Sequence, residues 1–196
     1  MKKTMLSAAV LTGLFAFGAS ANPASGDIDD TSATLTWEAK VPTVVTGEWI
    51  TITGENGKAL TNAGLTIDAD GSFTSDAVTV EVRYWDSETG VAGEPVVVGT
   101  ETAASSGVVP SSITYRVDSP SFSSEKGTDL STVDVSIFKD DKVVAPNTAL
   151  VETADSSWQT RWKLASAPGK GISNVVAGDV ITATTILRAD VAFADK

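Results

Sequence analysis

The sequence predicts an all-β sandwich of one domain, on three observations. Eight to ten short stretches alternate apolar and polar residues with a period of two. Clusters of Gly, Pro, Asn and Asp separate them at roughly even spacing. Beyond the first twenty or so residues, no apolar stripe with helical spacing supports a long helix. Half-buried strands that hide one face each, joined by turns, pack as two facing sheets.

The chain opens with Lys2 and Lys3, an apolar run from Met5 to Phe17, and Ala19-Ser20-Ala21. That is the form of a secretory leader with an A-x-A cleavage site, too short in its apolar part to stay in a bilayer. Residues 1–21 are therefore expected to be a signal peptide, and the exported chain to begin at Asn22. Residues 22–32, small and acidic, read as a flexible N-terminal extension. The sandwich domain is placed over 33–196.

Within it, Ala33 to Val41 alternates cleanly and stops at Pro42. Val44 to Thr53 follows, then a turn at Gly54-Glu55-Asn56-Gly57, where Asn-Gly supplies positive φ values. Leu65 to Ile67 is a short strand ended by Asp68-Ala69-Asp70-Gly71. Val78 to Trp85 is a clear strand with Val78, Val80, Val82 and Tyr84 on one face. The segment from Asp86 to Pro95 reads as loop, Val96 to Val98 as a short strand, and Thr100 to Val108 as a link with room for one helical turn. Ile113 to Val117 is a strand, Pro120 to Asp129 a loop, and Thr132 to Lys139 a strand turning at Asp140-Asp141 into Val143-Val144. Trp158, Thr160, Trp162 and Leu164 share one face of the next strand, and Ala167 to Gly171 is a Pro/Gly turn. The last stretch, Gly178 to Phe193, reads as one strand longer than most. Ile181, Ala183, Leu187, Ala189, Val191 and Phe193 fall on its apolar face; only Thr185 and Ile186 break the alternation.

Composition narrows the chemistry. The chain carries a net charge of −11. Without Lys2 and Lys3 it has 12 basic against 25 acidic side chains, a net −13. Nucleic acid and anionic lipid both demand a positive footprint, so neither is expected as a partner. There is no cysteine and no histidine. Ser-His-Asp and Cys-His catalysis are excluded, and zinc and copper sites lose their usual ligands. Stability must come from the core without disulfides. No enzyme activity and no cofactor is expected.

An alternating N-terminal strand (TLTWEAK), Thr/Val-rich sandwich strands and the closing GDVITATTILRADVAF follow the leader. This pattern resembles the major subunits of chaperone–usher pili, and among them the cysteine-free alternate and common-pilus branches. The resemblance implies an immunoglobulin-like sandwich that lacks its final strand and is completed by donor-strand exchange. A periplasmic chaperone fills the groove first; the N-terminal extension of the next subunit then replaces it during assembly through an outer-membrane usher. Strand addition of this kind takes affinity from backbone hydrogen bonds and specificity from alternate side chains. Carried onto this chain, the resemblance makes Ile28, Ala33, Leu35 and Trp37 the pocket-filling donor residues. It makes Ile181, Leu187, Val191 and Phe193 part of the groove. Residues 33–41 are then either the donor or the subunit's own first strand. The chain departs from the disulfide-bearing pattern in having no cysteine pair, no penultimate Tyr, and an Ala194-Asp195-Lys196 end. The implied function is a homopolymeric fimbrial subunit supporting adhesion or biofilm, in the periplasm during transit and extracellular afterwards.

Other constellations compete. Five Trp in an acidic chain raise a second function, a secreted monomeric module binding a surface glycan or matrix, with Trp85, Trp158 and Trp162 as stacking faces. The plainer reading makes them core and strand-end residues. Asp68, Asp70, Ser72 and Asp76 have some of the oxygen spacing of a calcium loop but lack its Gly position and its Glu at the twelfth, as a plain turn would. Glu81, Asp86, Glu88 and Glu152 could supply a carboxylate pair, but nothing fixes a separation, and solvated strand faces account for them equally.

Overall fold

The computed structural model describes Val44 and residues 46–105 and 107–196. The leader, the extension and the strand expected at 33–41 lie outside the described residues, and with them Ile28, Ala33, Leu35 and Trp37. What is described is all-β. Its strands are β1 (Ile50–Thr53), β2 (Leu65–Ile67), β3 (Phe73–Ser75), β4 (Val78–Asp86), β5 (Val91–Pro95), β6 (Val108–Val117) and β7 (Ser121–Ser124). They continue with β8 (Val135–Lys139), β9 (Lys142–Val144), β10 (Leu150–Glu152), β11 (Gln159–Ser166), β12 (Ile181–Thr184) and β13 (Leu187–Asp195). Only short 3₁₀ turns interrupt them, at Glu55–Gly57, Ala103–Ser105 and Asp155–Trp158. No helix among the described residues is long and apolar enough to cross a membrane.

Every strand pairing is antiparallel. In the larger sheet β11 lies between β8 on one edge and β4 with β3 on the other. Beyond them, β9 flanks β8, while β1 and β2 flank β4 and β3. The opposing sheet is narrow, in the order β10-β6-β13. Its inward residues Ile113, Tyr115 and Val117, all from β6, are buried against Val80, Val82 and Tyr84 of β4, Ile137 of β8 and Trp162 of β11. The Tyr115 and Trp162 rings meet across the layers with centroids 6.1 Å apart. Each such side chain contributes about 1.5–3 kcal/mol by leaving water, so the core sits where β6 crosses β4 and β11.

Four readings of the sequence are corrected. The closing stretch is two strands: β12 pairs with β7, and β13 pairs with β6. They part at Thr185-Ile186, where the alternation falters. There the Thr185 hydroxyl donates to Asp118 O at 2.7 Å and Asp118 N–H donates to Ile186 O at 2.9 Å. β6 and β7 part at the same level, so two bent strands run side by side from one sheet into the next, and Phe122 meets Phe73 at 5.5 Å. The supposed loop from Asp86 to Pro95 is a hairpin whose second strand, β5, pairs with β4. The supposed loop from Pro120 to Asp129 contains β7, whose serines hid it. Val96 to Val98 is not a strand, although Val96 is fully buried in the core and donates its N–H to Val82 O at 3.0 Å. The hairpin at Asp140-Asp141 is as expected, with φ of 48° and 63°.

One close approach fixes the distal end. Ile172 N–H donates to Gly71 O at 2.8 Å, joining the 68–71 turn to the segment after the Pro/Gly turn. A Cβ on Gly71 (φ +82°) would lie 2.0 Å from Ile172 O, and one on Gly171 would lie 2.2 Å from Gly71 O. Only glycine fits either place.

Candidate functional site

Among the described residues, β13 forms an edge of the sandwich. Leu187, Ala189, Val191 and Phe193 point inward and Arg188, Asp190 and Ala192 outward, as the period of two requires. The register sets Leu187 opposite Val117, Val191 opposite Ile113 and Phe193 opposite Pro110. A bulge between Ala192 and Phe193 accommodates Ser111, whose hydroxyl donates to Ala192 O at 3.1 Å. Pro110, which has no N–H for a ladder, sits at that bulge. The contrast in burial is sharp: Ile113, Tyr115 and Val117 are at most 1% exposed, while every inward residue of β13 is only half-buried. Among the described residues, β6 is the only strand paired with β13.

Of the groove residues expected from the sequence, the structure brings Leu187, Val191 and Phe193 together on that face. Ile181 does not join them; it is half-buried on β12, opposite Ser124, in the two-stranded sheet.

The opposite side of the sandwich, between β9 and β10, is a cleft of about 550 Å³ whose lining mixes polar side chains such as Lys139 and Glu152 with apolar ones such as Val144 and Leu150. Lys139 Nζ lies there 2.9 Å from Asp140 and 3.0 Å from Glu152, and 5.7 Å from the Tyr115 ring centre. Burial alone would lower the lysine, but the two carboxylates outweigh it and hold its pKa above the ordinary value. The Tyr115 hydroxyl donates to Ser157 O at 2.6 Å, and burial pushes its pKa up. Trp162 Nε1–H donates to Thr160 Oγ1 at 2.8 Å. These bonds pair the polar groups of the cleft with one another.

The remaining candidates resolve into structural roles or surface. Trp162 is core and Trp158 packs against it. Trp85 is half-buried and lies across from Trp49, which is 62% exposed; Trp85 N–H donates to Trp49 O at 2.8 Å. Asp68 and Asp70 both accept from the Ser72 hydroxyl, at 3.3 and 2.6 Å, and Ser72 N–H also donates to Asp70 at 2.9 Å. That is an Asx turn. Asp86 accepts from the N–H groups of Glu88 and Thr89, capping the β4–β5 turn.

Two carboxylates hold the loops together, and neither role was evident from the sequence. Glu81, in a polar slot of β4, is only 1% exposed. It accepts from Asn56 N–H (2.9 Å), Gly57 N–H (3.0 Å), Arg83 Nε (2.7 Å) and Gln159 Nε2 (3.0 Å). Burial would raise its pKa; the donors, Asn56 N–H foremost, more than offset this and leave it below the ordinary value. Asp179 accepts from Glu125 N–H and Lys126 N–H, at 3.0 and 2.8 Å, and from the hydroxyls of Ser124 and Thr128. Its burial likewise acts upward and the donors win, holding it far below the usual carboxylate range.

No protein-family model matches the chain, and no curated protein matches it.

Proposed function

We propose that this chain is the structural subunit of an exported fibre of the pilus type, and that it polymerises by adding a strand from a neighbouring copy to β13. One observation carries the reading: among the described residues β13 is an edge strand, and its inward apolar face stays half-covered although the β6 residues beside it are fully buried. An added strand would cover that face and take up the backbone groups of the edge. The alternating stretch at 33–41, with Leu35 and Trp37 on one face, has the chemistry of the donor. A chain with an apolar edge also needs cover before assembly, the role of a periplasmic chaperone until the next subunit's extension replaces it at an outer-membrane usher. The absence of histidine and cysteine and the mutual pairing of Lys139 with Asp140 and Glu152 in the β9–β10 cleft favour a mechanical role over a catalytic one.

The test moves residues 33–40 from the N-terminus to a position after Lys196, joined by a two-residue Asn-Gly turn so that they fold back along β13. The reading expects the unaltered exported chain to self-associate and the transplanted one to be a monomer that melts at a higher temperature. An unaltered chain that stays monomeric at every concentration, with no gain from the transplant, overturns it. A monomer that binds a neutral glycan through the exposed Trp49 beside Trp85 supports instead a secreted carbohydrate-binding module.

A further inference from the structure

Asn56-Gly57 is the one Asn-Gly pair in the chain. In an unconstrained peptide this pair is chemically weak, because glycine has no side chain to shield its backbone nitrogen. That nitrogen attacks the asparagine Cγ. The new N–Cγ bond replaces Cγ–Nδ2, and ammonia leaves with the proton given up by the glycine N–H. A five-membered succinimide results, and water opening either imide bond gives aspartate or isoaspartate. No co-reactant other than water is needed.

Here Asn56 is exposed to solvent, so access does not protect it. Its φ of 59° and ψ of 37°, with Gly57 at φ 71°, turn both backbone N–H groups onto the Glu81 carboxylate. Asn56 N–H bonds Oε1 at 2.9 Å and Gly57 N–H bonds Oε2 at 3.0 Å. The attacking nitrogen is therefore occupied, and the negative carboxylate beside it opposes loss of its proton. Arg83 and Gln159 fix that carboxylate from the sheet side.

We propose that Asn56 is a latent deamidation site held closed by Glu81, and that its conversion is a one-way release of the turn. Isoaspartate inserts a methylene into the main chain between the two N–H donors, which then no longer span one carboxylate. Either product adds a negative charge beside buried Glu81. A turn that opens and converts does not close again in the same way, so converted Asn56 accumulates with the time the turn spends open.

The full chain is incubated at mildly alkaline pH, digested, and scored for amide-to-acid conversion at Asn56 by peptide mass and chromatographic splitting. Three arms are compared: native wild type, wild type unfolded in urea, and native Glu81→Gln. Two hydrogen bonds to a buried carboxylate imply native protection on the order of a hundredfold over the unfolded chain. Glu81→Gln, which puts an NH2 donor in place of one of the two oxygens that Asn56 N–H and Gly57 N–H separately bond and removes the charge, is expected to convert at least about tenfold faster than wild type while its melting stays cooperative. If that variant does not fold, Gln159→Leu loosens the same carboxylate and is expected to convert faster than wild type. Equal native and unfolded rates overturn the proposal. So does a folded variant with the wild-type rate, or one in which Asn62, followed by Ala63, accelerates as much as Asn56.

Discussion

Gly71 and Gly127 share a φ of +82°, yet a Cβ on Gly127 meets nothing within 4 Å while one on Gly71 meets Ile172 O at 2.0 Å. Substituting each by alanine separates the cost of the backbone angle from the cost of the contact. The left-handed angle costs about 1–2 kcal/mol for a residue with a Cβ, offset by about 0.4–1 kcal/mol from a stiffer unfolded chain. Gly127→Ala should therefore lose roughly 1 kcal/mol. Gly71→Ala adds an overpacking term of about 1–3 kcal/mol and the strained Ile172 N–H to Gly71 O bond, worth about 1 kcal/mol. Its total is about 3–5 kcal/mol. Gly171→Ala, without a positive φ but with its Cβ 2.2 Å from Gly71 O, should fall between the two. Urea unfolding at dilutions where the chain is monomeric gives the three values, provided the slopes agree. If Gly127→Ala costs as much as Gly71→Ala, or if Gly171→Ala is neutral, the backbone junction between the two turns is not where the structure puts it.

The Glu81 clamp predicts a pH dependence. Its carboxyl is held below the ordinary value, so the stabilisation is present above the range in which an unfolded glutamate titrates, near pH 4.3. It is lost as pH falls through the folded value. Denaturant melts should show Glu81→Gln about 1–3 kcal/mol less stable than wild type near neutrality, with the gap closing in acid; a gap that stays constant would contradict the clamp. Asp179→Asn should loosen the 124–128 loop, read as faster amide exchange at Glu125 and Lys126, with exchange at β4 unchanged. Tyr115→Phe leaves Ser157 O without its donor and should cost about 1–3 kcal/mol by the same melts.

The alternation of Val80, Val82 and Tyr84, or of Leu187, Ala189 and Val191, is written in neighbouring residues, and those strands form where the pattern puts them. β7 was hidden because Ser121, Ser123 and Ser124 carry no apolar face; its strand character comes from pairing with residues about sixty positions later. Thr185-Ile186 was visible as a fault in a pattern, but a fault does not say that the chain changes sheets there. Glu81 occupies a polar slot that on any isolated strand would face water. It is buried because a turn 24 and 25 residues earlier folds onto it. The fit of Gly71 against Ile172 joins segments far apart in the chain, which local pattern does not encode. Of the candidate site, the face made by Leu187, Val191 and Phe193 is legible in the alternation, whereas the change of partner at Thr185-Ile186, which takes Ile181 into another sheet, is not.

The most direct test of strand addition is amide exchange along β13 with and without a peptide of residues 28–41. The account predicts that the β13 amides not bonded to β6 exchange quickly in a chain beginning at Val44, and become protected when the peptide is added, while β9 and β10 do not change. Protection that settles on β9 or β10, or a β13 indifferent to the peptide, would contradict it.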